Sequence, residues 1–424
     1  MGTSLTPSQG GRWQSVRVAL VADLFASGST MFQGGAERHL LHLALAMTEA
    51  GIECCIFQPG GRGATYAVGG VEVRTRPVGR HRLWSRLAHR AIAEGWTHLY
   101  FKYLEHVPAG LPRDRVSATQ HGVYWDIPYE THGRPWYPGG AAARGYLPAW
   151  RAWQIAKSFS GLHRCSAVSA MDTSFLRVTQ ALWPASRGRI FVTAPFCDIS
   201  RPAPEALAAA RLPGDLEAVI AATHAAAGSV VLVPRNLSLV RGESWLPQIF
   251  TMVARKHAVV FIVTGQFLGH LDNTWRSARL VAADAAARRL PGGKASSLIH
   301  LRSCPRDTMA ALYAAADIVL IPTFAHEGAS LAAAEAMAFE KPVVATNVGG
   351  LSDTLDAGWS AAVTRPDPAS IASAILHLAA DPHLRHTLAT NARLKAAACF
   401  TMDSWRKSQL PFFAAAGWLP PPGK

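Results

Sequence analysis

The chain has no long hydrophobic run. Its longest apolar stretches are strand-sized, such as Ala258-Val-Val-Phe-Ile-Val263, far short of the roughly 18 residues that a membrane-spanning helix needs. The segment Met1 to Trp13 is polar and lacks the apolar centre of a secretory signal. Cysteine is scarce, with six in 424 residues and no C-x-x-C spacing, which excludes a disulfide framework and a zinc signature. All six, including the adjacent Cys54 and Cys55 in a strand-like run, are expected to be reduced thiols of a cytoplasmic protein. Charged residues are few, at 17% against 49% hydrophobic, so a largely disordered chain is excluded. Acidic residues are the scarcer kind: 28 against 42 Lys and Arg, a net +14. Residues 1–200 hold 21 basic and 12 acidic groups, and the rest hold 21 and 16. That balance fits an anionic partner, whether nucleic acid, anionic lipid or a phosphorylated small molecule.

What is present is a repeated α/β pattern. Val16-Arg-Val-Ala-Leu-Val-Ala22 is a nearly all-apolar strand, the kind buried on both faces of a sheet. A glycine-bearing loop ending Gln33-Gly34-Gly35 follows, then a helix over 36–50 with Leu40, Leu43, Ala44 and Met47 on one face. Further strands are expected at 52–57, 97–101, 115–119 and 166–169. The prolines of Arg201-Pro-Ala-Pro and the turn chemistry of Leu212-Pro-Gly-Asp mark a boundary. Beyond it, strands at 229–234, 259–263, 298–301, 318–321 and 342–345 alternate with helices, notably 307–316 and 331–339. The expectation is two Rossmann-like domains with mainly parallel sheets, residues 1–200 and 218–399. A linker covers 201–217 and a final segment covers 400–424. Ligands of such sheets bind beyond the carboxyl ends of the strands, here in the cleft between the two domains.

Glu327-Gly-Ala-Ser-Leu-Ala-Ala-Ala-Glu335 is the most specific feature. Its first glutamate lies in a glycine loop after the strand 318–321, and its second lies a turn into a helix starting near Ser330. The amides of Gly328, Ala329, Ser330 and Leu331, with the helix N-terminus, form a seat for an anion. Glu335 can accept hydrogen bonds from a ribose diol, and Glu327 can reach the hydroxyls of a sugar beyond the phosphates. A bare pair of glutamates is more often one cap and one solvated side chain. Arg235 after a buried strand and Arg241 before Gly242 are two cations able to neutralise a diphosphate leaving group. Gly34 and Gly35 precede a helix as an anion-binding loop does. Glu37 and Arg38, just beyond, are expected on the helix surface.

These segments, in order, resemble the family 4 retaining glycosyltransferases, which have the GT-B fold. The resemblance is carried by Ala316-Asp-Ile-Val-Leu-Ile-Pro-Thr323, Glu327 to Glu335, Lys341-Pro-Val-Val-Ala-Thr-Asn-Val-Gly-Gly350, Phe32-Gln-Gly-Gly-Ala-Glu-Arg-His-Leu40, Ser166-Ala-Val-Ser169 and Val233-Pro-Arg235 with Arg241-Gly242. It covers about residues 16–400. By resemblance Arg235 and Arg241 bind the donor diphosphate, although Pro234 replaces a usual glycine and Arg241 a usual lysine, a planar fork for a compact point charge. His121, in Thr119-Gln-His-Gly122, is implied to lie beside the donor sugar. It is assigned no general-base role, because family members attack on the face the leaving group departs from, with the leaving phosphate assisting deprotonation. His121 and Glu327 are thus the candidates at the reacting end. Gly34, Gly35, Arg235, Arg241, Gly328, Ala329, Ser330, Leu331 and Glu335 are the candidate donor site. Tyr124, Trp125 and Asp126 are candidates for the acceptor, against the plainer reading of a packed Ω-like loop.

No D-x-D triad is evident, so transfer without a metal or other cofactor is expected, with a nucleoside diphosphate sugar as co-substrate. The basic run from Arg74 to Ile92 includes an amphipathic helix from Arg82 onward, with Arg82, Arg86 and Arg90 on one face. It is a candidate contact with an anionic membrane surface, weighed against an ordinary helix with a solvated basic face. No nucleic-acid motif accompanies the charge. The reading is a hexose-type transfer to a hydroxyl acceptor. A sugar-nucleotide epimerase and a non-catalytic nucleotide-sugar-binding partner are the alternatives.

Overall fold

The computed structural model describes residues 16–23, 35–61, 63–79, 81–122, 130–131, 134–135, 140–199, 212–266, 273–288, 296–302, 304–325 and 327–419. It is an α/β protein with two large sheets. Strands β1 (Arg17–Val21), β2 (Glu53–Pro59), β3 (Ala64–Val68), β4 (Val71–Arg76), β5 (His98–Phe101) and β6 (Val116–Gln120) join β9 (Ala167–Ala170) and β10 (Ile190–Val192) in one sheet. Their order is β10-β9-β6-β5-β1-β2-β4-β3. Strands β7 (Glu130–Thr131) and β8 (Arg134–Pro135) form a separate two-stranded ribbon. Helices α1 (Gly35–Glu49), α2 (Leu83–Ala93), α3 (Gly140–Arg164) and α4 (Thr173–Leu182) connect these strands. β1 pairs in parallel with both β2 and β5, while the hairpin β3–β4 is antiparallel. The hairpin and the 25-residue α3 were not anticipated from sequence, where only Arg74 and Arg76 of the hairpin enter the reading, as the start of the basic run.

The second sheet holds β11 (Ser229–Val233), β12 (Val259–Thr264), β13 (Ser297–Leu301), β14 (Ile318–Ile321), β15 (Val343–Thr346) and β16 (Ala361–Thr364), in the order β13-β12-β11-β14-β15-β16. All its pairings are parallel. Its helices are α5 (Leu216–Ala225), α6 (Leu246–Ala254), α7 (Asn273–Ala287), α8 (Arg306–Ala315), α9 (Leu331–Ala338), α10 (Leu351–Thr354), α11 (Pro368–Ala380) and α12 (Pro382–Cys399), with α13 (Met402–Ala415) following. The near-continuous apolar strands have a direct cause. Val231, Val233, Phe261 and Leu320 point into one core and Val230, Leu232, Ile262 and Val319 into another. A strand of period two that meets helices on both faces has no position left for a polar residue.

The chain divides into two compact units, residues 1–118 with 161–168 and 410–424, and residues 119–160 with 169–409. The sequence-based linker 201–217 falls between β10 and β11; residues 200–211 lie outside the described residues, and α5 begins at Leu216. Within the first unit Phe412 and Trp418 pack edge-on against Tyr100, at 6.3 and 6.1 Å between ring centres. None of the six cysteines forms a disulfide. No helix among the described residues is long and apolar enough to cross a membrane.

Candidate functional site

The strand order β13-β12-β11-β14-β15-β16 reverses direction between β11 and β14. At such a switch point the connections leave toward opposite faces, and a crevice opens beyond the carboxyl ends of the two strands. Arg235 stands two residues past the end of β11, and Thr323 and Glu327 stand two and six residues past β14. Gly242, with φ of 79°, lets the two loops meet: a β-carbon there would lie 2.0 Å from the Pro322 carbonyl oxygen. The Phe324 amide donates to the Val240 carbonyl at 3.0 Å and ties the loops together.

The three side chains form a closed ring. Arg235 donates through Nη2 to Glu327 Oε2 at 2.7 Å and through Nη1 to Thr323 Oγ1 at 2.6 Å. Thr323 Oγ1 lies 3.0 Å from the same Oε2. Arg235 and Glu327 are only 7% and 10% exposed, so the pair is shielded from screening. Burial pushes the Glu327 carboxyl up. The charges of Arg235 and Arg241, with hydrogen bonds from Arg235 and Thr323, outweigh it and hold the carboxyl below its ordinary range. Two cations therefore act on one carboxylate. Among the described residues the buried Arg235 Nε has no hydrogen-bond partner, a donor left for something further.

The segment after Glu327 folds largely as its residues anticipate. Ser330 caps α9, its hydroxyl accepting from the Ala333 amide at 3.4 Å. Gly328 is buried, Ala329 and Leu331 are half-buried, and Glu335 is 4% exposed. Tyr313 on α8 donates its hydroxyl to Glu335 Oε2 at 2.7 Å while its ring stacks on Phe339. Gly328 also explains where His121 sits. A β-carbon at 328 would lie 2.8 Å from the His121 carbonyl oxygen, so only glycine permits this approach. Nearby, Asp353 of α10 accepts from the Thr173 amide and hydroxyl at 2.7 and 2.6 Å. Burial, with a further push from Asp353, raises the adjacent Asp172 carboxyl to about 6 against the pull of the Phe175 amide. Thr323 and Tyr313 were missed from sequence. The available signal was position: a polar residue directly beyond an apolar strand, four before Glu327.

In the first unit Gly35 opens α1. Glu37 is not on the helix surface as expected. It is buried, at 8% exposure, because it pairs with Lys102, itself 1% exposed, at 2.9 Å. Lys102 follows β5 and also donates to the Asp23 carbonyl at 2.7 Å and contacts the Asp23 carboxylate beyond β1. Burial works against its charge, but Tyr103, Glu37 and Asp23 win and raise its pKa. Gly34, Tyr124, Trp125 and Asp126 lie outside the described residues. Part of the basic run is spoken for. Arg74 and Arg76 pair with Glu94 at 3.0 and 2.6 Å, and Trp84 stacks on His106 at 4.3 Å. Arg90 of α2 also reaches Glu94, at 3.1 Å, while Arg86 of α2 and Arg82, just before the helix, are exposed.

Residues 229–381 match the family model described as Glycosyl transferases group 1. The chain is 43% identical over 89 residues to a D-inositol 3-phosphate glycosyltransferase of Corynebacterium kroppenstedtii, covering 21% of this chain and 20% of that protein. To the protein of the same name from Corynebacterium jeikeium it is 37% identical over 120 residues, 28% and 27% of the two chains. The chain thus spans about a fifth to a quarter of the length of these curated relatives. Among solved structures, sucrose-phosphate synthase from Thermosynechococcus elongatus aligns with a TM-score of 0.66 at 16% identity, over 93% of this chain and 97% of that one. Anabaena HepE in complex with UDP-glucose aligns at 0.63 and 16%, over 92% and 97%.

Proposed function

We infer that this chain, whose residues 229–381 form a glycosyl transferases group 1 domain on a GT-B fold, is a glycosyltransferase. It takes a hexose-type sugar from a nucleoside diphosphate sugar and passes it to a hydroxyl acceptor. The observation that carries this reading is the buried Arg235–Glu327 pair at the β11/β14 switch point, with an unsatisfied Arg235 Nε and Arg241 adding a second positive charge. That arrangement is a seat for a diphosphate next to a carboxylate able to hold sugar hydroxyls.

In this reading Arg235 and Arg241 neutralise the leaving diphosphate without a metal ion, and the amides of Gly328 to Leu331 complete the anion seat. Glu335, held by Tyr313, takes the ribose diol. Gly34 and Gly35 are assigned to the phosphates, His121 to the sugar, and Tyr124, Trp125 and Asp126 to the acceptor. The bond from the anomeric carbon to the β-phosphate oxygen breaks. The acceptor oxygen bonds to the same face with retention, and its proton passes to the departing phosphate. The reaction belongs in the cytoplasm. If this segment meets a membrane, it does so through the charges of Arg82 and Arg86, because Trp84 is engaged with His106 and Arg90 with Glu94.

The test is a thermal-shift screen with UDP-, GDP-, ADP- and dTDP-sugars, followed by a transfer assay that includes D-inositol 3-phosphate, the compound in the relatives' name, among the acceptors. One base is expected to raise Tm, by the equivalent of about 2.7 kcal/mol at a hundredfold excess over Kd. The gain disappears in Arg235→Ala. Failure of every nucleotide sugar to bind overturns the reading, and release of an epimer with no acceptor present redirects it to an epimerase.

A further inference from the structure

Thr323 has no place in the roles just given, yet it is the most constrained polar side chain of the site. It is fully buried. Its carbonyl accepts from the Thr346 hydroxyl at the end of β15, which fixes its backbone to the neighbouring strand. Its hydroxyl faces Arg235 Nη1 at 2.6 Å and Glu327 Oε2 at 3.0 Å. A guanidinium can only donate, so Thr323 Oγ1 accepts from Arg235. Its own single proton is then directed to Glu327. The direction of the chain is forced: Arg235 to Thr323, Thr323 to Glu327, and Arg235 to Glu327 again. Both bonds to the carboxylate converge on Oε2, and Oε1 takes part in neither.

We propose that Thr323 is a positioning residue of this site. By accepting from Arg235 and donating to Glu327, its hydroxyl holds the carboxylate with Oε1 turned toward the donor sugar. The proposal rests on the glycosyltransferase reading and deepens it. Thr323 touches no phosphate in this scheme, so it governs turnover rather than donor affinity. Among the described residues the charges acting on Glu327 are Arg235 and Arg241, both from the segment after β11. Removing the hydroxyl leaves those charges in place and takes away one donor that holds the carboxyl down.

The test compares wild type, Thr323→Val, which keeps the volume without the hydroxyl, and Thr323→Ser, which keeps the hydroxyl. UDP-glucose hydrolysis is measured across pH. Thr323→Val is expected to lower kcat by about 10–30-fold, with KM within about threefold. The acidic limb of its rate profile moves to higher pH, and Thr323→Ser restores both. Equal kcat in wild type and Thr323→Val, or equal losses in the Val and Ser variants, would overturn the proposal. So would a rise in KM that matches the fall in kcat.

A second readout does not need activity. A carboxyl held low in the folded state gives stability that is present above its unfolded value, about 4.3 for Glu, and lost as pH falls through the folded value. The Tm gap between wild type and Thr323→Val is therefore largest near neutrality and closes toward acid. A gap independent of pH means that only packing was lost, and the proposal fails. If wild type turns over none of UDP-, GDP-, ADP- and dTDP-glucose, the glycosyltransferase reading falls, while the Tm comparison still decides Thr323.

Discussion

Both large sheets carry a buried ionic cluster at the same topological address, with opposite charge balance. In the first sheet β1 is flanked by β5 and β2, and Asp23 beyond β1 and Glu37 on α1 enclose Lys102 beyond β5. Two carboxylates hold one ammonium. In the second sheet β11 is flanked by β14 and β12, and Arg235 with Arg241 beyond β11 faces Glu327 beyond β14. Two guanidinium groups act on one carboxylate. A switch point supplies an open crevice whatever its lining; the lining decides whether it is filled from within. The Lys102 cluster satisfies its cation with groups of its own unit. In the Arg235 cluster, among the described residues, the buried Arg235 Nε has no hydrogen-bond partner. The first cluster is a clamp, and the second, in the proposed reading, is an anion seat.

The largest effects come from removing each central cation. Lys102→Met leaves the buried Glu37 without its cation, and Arg235→Ala leaves Glu327 buried with the charge of Arg241 and the Thr323 hydroxyl. Breaking a buried pair costs about 3–5 kcal/mol, so both variants are expected to lose comparable stability in chemical denaturation. Calorimetry with the nucleoside diphosphate identified by the screen then separates them. Arg235→Ala loses binding, and the folded fraction of Lys102→Met retains it. Equal loss in the two variants would break the distinction between clamp and seat.

How much of this was legible in the sequence follows from what each residue signals locally. Arg235, Glu327 and Glu335 are charged residues at fixed spacing beside apolar strands, and a charge beside an apolar run stands out. The strands themselves were legible because burial on both faces removes polar alternation; 229–234, 259–263 and 318–321 fall where β11, β12 and β14 are found. Glu37 was misread because it stands in the first turn of α1, where a carboxylate needs no partner beyond the helix end. Its partner Lys102 is 65 residues away, and nothing in Phe101-Lys-Tyr-Leu104 announces a buried cation. Thr323 and Tyr313 were illegible for the opposite reason. A threonine after Ile-Pro and a tyrosine among alanines look like ordinary structure until the fold brings a carboxylate within 3.0 and 2.7 Å of them.

A milder substitution sharpens the comparison by altering charge without emptying the site. Glu327→Gln keeps an acceptor for Arg235 but removes the only negative charge in the ring. UDP binding is expected to strengthen by roughly tenfold, equivalent to about 1.4 kcal/mol, while transfer falls by about a hundredfold. Glu37→Gln changes the first cluster in the same way but leaves Asp23 on Lys102, and UDP affinity stays at the wild-type value. Parallel titrations by calorimetry check both. Weaker UDP binding in Glu327→Gln would show that the carboxylate supports the anion seat instead of opposing it.

The smallest effect concerns Glu335, a buried carboxylate held by a neutral donor. Tyr313→Phe keeps the ring that stacks on Phe339 and deletes the hydroxyl 2.7 Å from Glu335 Oε2. A hydrogen bond to a charged group contributes about 1.5–3 kcal/mol, and the lower end applies if water replaces the lost donor. The expected result is a Kd for UDP about tenfold weaker and a modest loss of stability, with kcat nearly unchanged once donor is saturating. This pattern differs from that of Thr323→Val, where kcat falls and KM holds. The reason lies in what each glutamate is proposed to grip: Glu335 the ribose, present throughout the reaction, and Glu327 the sugar, which changes bonding. Steady-state kinetics on the two variants side by side would show the split, and matching patterns would mean that both hydroxyls only support packing.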